Sequence, residues 1–225
     1  MNAVTGQGTR RIPVTILIGL AIALGLPLCH LAGLARVFAG LGRFWSGEAA
    51  WLTFLAFILA YVCFVERRPL SSLGFRSFSP GEMALAVLAA ILIVGGDIGI
   101  SAIETMLHLK VTSQVSELFV LPFWLRVFLV VRAPIVEEVV FRGYGFERLA
   151  QLTGSPLAAA SVTFALFAFA HYPGGGLALA LVAAWGGLIL TLLYLWRRNL
   201  WVTITAHCLT DAVGLLVVPA LSAHH

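Results

Sequence analysis

Seven apolar stretches follow one another along the chain, at residues 12–34, 49–65, 83–103, part of 118–150, 156–172, 177–196 and 200–219. Each comes near the roughly 20 residues that carry an α-helix across the hydrocarbon core of a bilayer. A backbone in lipid must satisfy its own hydrogen bonds, so only helices or a closed barrel can follow from such a pattern. The stretches are continuous rather than alternating, and Gly, Pro and Arg punctuate them, which favours helices over the dyad pattern of a barrel. The expectation is an all-α polytopic transmembrane helix bundle of seven or eight membrane helices, one integral membrane domain over residues 1–225.

Composition confirms lipid, not water, as the solvent. Only 11% of the 225 residues are charged and 60% are apolar, against about a quarter charged in a soluble domain. So little charge cannot clothe a water-facing surface, which excludes a soluble enzyme and a disordered chain. The net charge of +4 sits in short clusters rather than on one basic face, so no nucleic-acid partner is expected. Those clusters read as topology signals. Arg10, Arg11, Arg67, Arg68, Arg76, Arg148, Arg197 and Arg198 fall on one side, and Arg36, Arg43, Lys110 and Arg126 on the other. That excess places the N-terminus in the cytoplasm, and a bacterial inner membrane is the expected location. The first stretch is expected to stay as a membrane helix, because Leu28 ahead of Cys29 is too bulky for lipoprotein-type cleavage. Cys29, Cys63 and Cys208 lack paired or metal-ligand spacing and are expected as buried thiols. Trp45, Trp51, Trp124, Trp196 and Trp201 lie near span ends and read as interfacial anchors.

Ionisable groups inside the hydrocarbon layer are costly, so each one is a functional hypothesis by default. They are Asp97 in the third stretch, Arg132, Glu137, Glu138 and Arg142 in the fourth, His171 at the end of the fifth, and His207 and Asp211 in the seventh. Glu138 and Arg142 are i and i+4 neighbours on a helix, whereas Glu137 is turned by about 100°. Glu138 can therefore be neutralised locally. Glu137 has no partner on its own helix, so it is uncharged or a group from another helix faces it. His207 and Asp211 are also i and i+4, which lets the carboxylate orient the imidazole. Asp97 is expected to pair with Arg132, and Gly95, Gly96 and Gly99 beside it to allow close helix approach. Gly174 to Gly176 should give a flexible turn next to His171. Taken singly, each group could serve only in packing; together, two carboxylates and two imidazoles on three helices make a hydrolytic or metal-binding constellation.

Depth offers a check. At 1.5 Å per residue, Glu137 lies about 16 Å from Arg148 and His207 about 13 Å from Arg198. His171 lies about 24 Å from the helix start at Pro156, so its helix must protrude or lean if the three share a site. A separation of His171 from Glu137 beyond about 10 Å would end that idea.

The residues fall into three motifs in order: Glu137-Glu138-x-x-x-Arg142, Phe167-x-x-x-His171 and His207-x-x-x-Asp211. In this respect the chain resembles the CAAX prenyl protease and bacteriocin-processing (CPBP, or Abi) family of intramembrane proteases, with residues 133–215 carrying the resemblance. It implies an intramembrane endopeptidase whose site opens toward the cytoplasm and which hydrolyses a peptide bond in a hydrophobic or lipidated peptide. By motif, Glu137 would activate water together with His171. His207 and Asp211 would bind the oxyanion or help hold a metal, and Glu138 with Arg142 would be a supporting ion pair. Many members have Asn in place of Asp211; a carboxylate there is a poorer oxyanion donor, so orientation of His207 or metal ligation suits it better. The resemblance implies two chemistries, a zinc site held by Glu137, His171 and His207 or a metal-free glutamate mechanism, and the second is favoured. The alternatives are a non-catalytic membrane scaffold or bacteriocin-immunity protein of the same fold, and a proton-coupled transporter, which the lack of an internal repeat disfavours.

Overall fold

The computed structural model describes residues 13–28, 31–109 and 117–222. Arg10, Arg11, Cys29 and Lys110, to which the sequence assigned roles, lie outside them. Among the described residues all regular structure is helical: α1 (Val14–Leu28), α2 (Ala32–Val37), α3 (Arg43–Ala60), α4 (Pro80–Met106), α5 (Phe123–Glu138), α6 (Glu147–Thr153), α7 (Pro156–Arg197), α8 (Leu200–Ala212) and α9 (Val218–Ser222). Wider, π-type turns at Tyr61–Val65, Val139–Phe146 and Val213–Val217 continue α3, join α5 to α6 and join α8 to α9.

Among the described residues four helical segments are long and apolar enough to cross a membrane: Phe44–Val65, Pro80–Met106, Pro156–Arg197 and Leu200–Ala220. The sequence-based number of seven or eight is therefore not reached by that criterion, and the shortfall has three sources. The helix Val14–Leu28 is apolar but short. The run through α5 carries Arg126, Arg132, Glu137 and Glu138, which lower its hydropathy. Stretches 156–172 and 177–196 form one helix of 42 residues, broken where Gly176 takes φ 67° and ψ −160°. A straight helix of that length would reach about 63 Å, twice a hydrocarbon core. Many large apolar side chains face outward, Ile91, Ile98, Phe169 and Leu192 among them, as a lipid-facing exterior demands.

Local sequence starts the helices. Ser79 caps α4 in a reciprocal capping box with Glu82 and is followed by Pro80 at the first position. Ser155 caps α7 ahead of Pro156, and the Asn199 side chain caps α8. One glycine shows a close approach. A side chain at Gly96 would collide with the Trp185 indole, whose Nε1 donates to the Ile93 carbonyl at 3.1 Å, while Gly95 and Gly99 face open space. Of the three glycines expected to allow contact, Gly96 alone does so.

Lipid gives helices little hydrophobic reason to associate, so packing and polar links hold them. At the end of the bundle near the α6–α7 turn, Glu66 accepts from the Tyr144 hydroxyl at 2.6 Å and from Arg148 Nε at 2.8 Å, and Arg148 also donates to Ser72. Beside it Glu147 accepts from Tyr194 and Arg198, and Asn199 donates to Ser77 and Glu82. Arg148 is 1% exposed. It is a buried clamp as well as a basic residue counted toward topology.

Two further expectations are corrected. Arg132 pairs with Glu48 on α3 at 2.5 Å, not with Asp97; the sequence could not foresee that α3 would reach α5 with a carboxylate of its own. Cys63 is exposed on an apolar helix face that lipid can cover, whereas Cys208 is partly buried and packs against the main apolar core.

Candidate active site

Three helical segments bring the motif residues together. Pro134 removes one main-chain donor from α5 just ahead of Glu137 and Glu138, and the helix then widens over Val139–Phe146, where Arg142 lies. The first half of α7 brings Phe167 and His171, and α8 brings His207 and Asp211.

The lowest layer is fully enclosed. Glu138 and Arg142 are 0% and 1% exposed, and Arg142 Nη1 donates to Glu138 Oε1 at 2.7 Å. Nη2 of the same guanidinium donates to the Gly187 carbonyl at 3.1 Å and to Thr191 Oγ1 at 3.4 Å. Its carbon lies 4.2 Å from the centroid of the Phe167 ring. A buried arginine is tolerable only when its fork is filled, and here a carboxylate, a carbonyl, a hydroxyl and an aromatic face fill it. Phe167 also lies edge-on to Phe141 and against His171, with ring centroids 5.3 and 4.7 Å away.

Above this layer the two imidazoles are held in defined tautomers. His171 Nδ1 lies 2.8 Å from the Phe167 carbonyl. A carbonyl can only accept, so Nδ1 carries the hydrogen and Nε2 is left facing the cavity. His207 Nδ1 lies 3.0 Å from Glu138 Oε1, the oxygen already paired with Arg142, so it too donates there. Glu138, not Asp211, orients His207: Asp211 Oδ1 is 3.7 Å from Nε2, beyond hydrogen-bond distance.

Glu137 Oε2 meets both free nitrogens. It lies 3.8 Å from His171 Nε2 and 3.8 Å from His207 Nε2. The oxygen is buried and has no hydrogen-bond partner. The 3.8 Å separation is far inside the 10 Å limit set from helix spacing. The Glu137 carboxylate and the two imidazole Nε2 atoms thus face one another across gaps wider than a direct hydrogen bond.

Sequence reading placed the six polar residues but missed what supports them. Gly187 and Thr191 gave no signal beyond a small and a polar residue in an apolar run, one helical turn apart. Trp51, expected as an interfacial anchor, instead lines a cavity of about 170 Å³ together with Glu137 and His171. Glu137, His171 and His207 are the donor types of a catalytic zinc site. Among the described residues, no group of three His, Cys, Asp or Glu side chains is disposed to hold one ion as they stand.

Residues 119–213 match the family model described as type II CAAX prenyl endopeptidase Rce1-like. The match supports CPBP family membership for this segment. It contains all seven motif residues and every helix that carries them. The family implies a protease, and with the four apolar helices it indicates an integral membrane protein. No curated protein and no solved structure matches the chain.

Proposed function

We propose that this CPBP-family chain is an intramembrane endopeptidase that hydrolyses a peptide bond in a hydrophobic or lipidated peptide, using water activated at Glu137 without a metal. The observation that carries the reading is the single Glu137 oxygen placed 3.8 Å from the free nitrogen of each histidine. A water donating one hydrogen to Glu137 and the other to His171 keeps a lone pair for the carbonyl carbon. As the oxygen–carbon bond forms, Glu137 takes the proton. His207, its Nδ1 held by Glu138, offers an Nε2 hydrogen to the developing oxyanion when that nitrogen is protonated. Glu137 then passes its proton to the amide nitrogen, the carbon–nitrogen bond breaks, and acid and amine leave. Asp211 and Glu138 stand beside His207 throughout, at 3.7 and 3.0 Å from its two nitrogens. The basic clusters suggest that the site opens to the cytoplasm of a bacterial inner membrane, with the remaining apolar helices completing the seven or eight spans.

The test compares peptide termini in membranes of cells carrying the native chain and cells carrying Glu137→Gln, a nearly isosteric loss of the base. Termini present only with the native chain are expected. In purified form the substitution should lower turnover by about 10²–10⁴-fold. An unchanged set of termini, with the variant folded and equally abundant, would make the chain a scaffold that keeps the motifs for packing. Activity that survives prolonged treatment with a zinc chelator is also expected; loss that only added zinc reverses would overturn the metal-free chemistry.

A further inference from the structure

Beyond the hydrolytic centre the bundle continues as a trough. A cavity of about 130 Å³ is walled by His171, His207 and Asp211, and Asp97 of α4 stands at its far side. A second cavity of about 460 Å³ begins at Asp97 and runs past Ser101 and Phe119 to Glu104. Leu179, Val182 and Thr210 wall both, so the two cavities adjoin.

Asp97, Ser101 and Glu104 stand at i, i+4 and i+7, one stripe of α4 about 10 Å long. Asp97 Oδ1 and Glu104 Oε1 are both buried, and neither has a hydrogen-bond partner. Glu104 is only 7% exposed. Among the described residues Arg132 is paired with Glu48, and Arg126 donates to the Leu215 carbonyl. Among the described residues no ion pair reaches either carboxylate. Two uncompensated acids beside apolar walls are expensive as a packing device, because each unpaired buried oxygen costs free energy that an apolar side chain would not. The arrangement is complementary to a positive side chain carried on an apolar segment.

We propose that Asp97 and Glu104 form a binding pocket that selects a Lys or Arg side chain on a hydrophobic peptide, next to the bond presented to Glu137. The apolar walls take the flanking residues and the long aliphatic stem, and the carboxylates take the cationic head. The proposal rests on the hydrolytic reading for the fate of the peptide, but not for its binding.

Binding is therefore measured apart from cleavage, on the full chain carrying Glu137→Gln, reconstituted in lipid. The probes are two synthetic apolar peptides bearing a photo-reactive group, identical except for Lys or norleucine at one position. The Lys peptide is expected to bind about tenfold more tightly. Asp97→Asn and Glu104→Gln should each bring that ratio toward one, whereas Asp97→Glu should largely keep it; the thermal midpoint of each variant reports that it is folded. Equal labelling by the two peptides, including none by either, overturns the pocket, as does a Lys preference that survives both neutral variants. A Lys preference that Asp97→Asn abolishes, in a chain whose Glu137 form cleaves neither peptide, would keep the pocket and remove the hydrolytic reading instead.

Discussion

Arg142 shows how one side chain can decide a site it does not enter. Its fork holds Glu138, and Glu138 holds the His207 ring whose other nitrogen faces Glu137. Replacing it with Leu would leave Glu138 buried with His207 as its one strong partner. Removing one member of a buried pair costs about 3–5 kcal/mol, so Arg142→Leu should lower the thermal midpoint in detergent by many degrees. An unchanged midpoint would show that Glu138 does not need the guanidinium. Arg142→Lys should recover only part of the loss, because an ammonium cannot reach Glu138, Gly187 and Thr191 together from one planar fork. At this scale the sequence was informative where partners share a helix. The i, i+4 spacing of Glu138 and Arg142 told their pairing in advance, whereas the partner of Arg132 depended on which helix packed beside it.

Among the elements, α7 departs most from its reading in the sequence. Its apolar halves and the Pro-Gly-Gly-Gly between them were evident; that the chain carries straight on except for one residue was not, since nothing in three consecutive glycines says which will turn. Gly176 does, in a backbone region that is essentially closed to residues with a Cβ. Gly176→Ala should therefore cost about 1–3 kcal/mol. Because the break lies five residues after His171, the same change should reduce peptide hydrolysis more than its effect on stability explains. Turnover measured well below the midpoint separates the two effects, and full activity there would show that the angle at Gly176 does not set the position of His171. The span count was less legible for a related reason. Hydropathy counts apolar length, and the acid motif with its neighbouring arginines makes its helix polar.

For the whole molecule, lipid outside and polar clamps at one end replace the hydrophobic drive that holds a soluble domain. Arg148 ties the end of α3, the turn at Leu70–Leu73 and the segment leading into α6, so its removal should loosen several elements together. Arg148→Met is expected to cost about 3 kcal/mol and to broaden the unfolding transition in detergent. A sharp transition at the native midpoint would mean that the clamp is only one of several equivalent ties. The all-α architecture and the meeting of three distant motifs were legible from apolar length and from charges that lipid resists. The trough at Asp97 was not, because it exists only between helices.

One feature of the lowest layer bears on how such a molecule is made. Glu138 and Arg142 neutralise each other within a single stretch of chain, and that stretch is synthesised ahead of α7 and α8. The segment can thus enter the bilayer with its heaviest charges already cancelled, and Glu137 is the acid that must wait for its two histidines. Assembly of the chemistry is the last act of membrane insertion, so a nascent chain halted before α8 would be inserted, internally paired and inert.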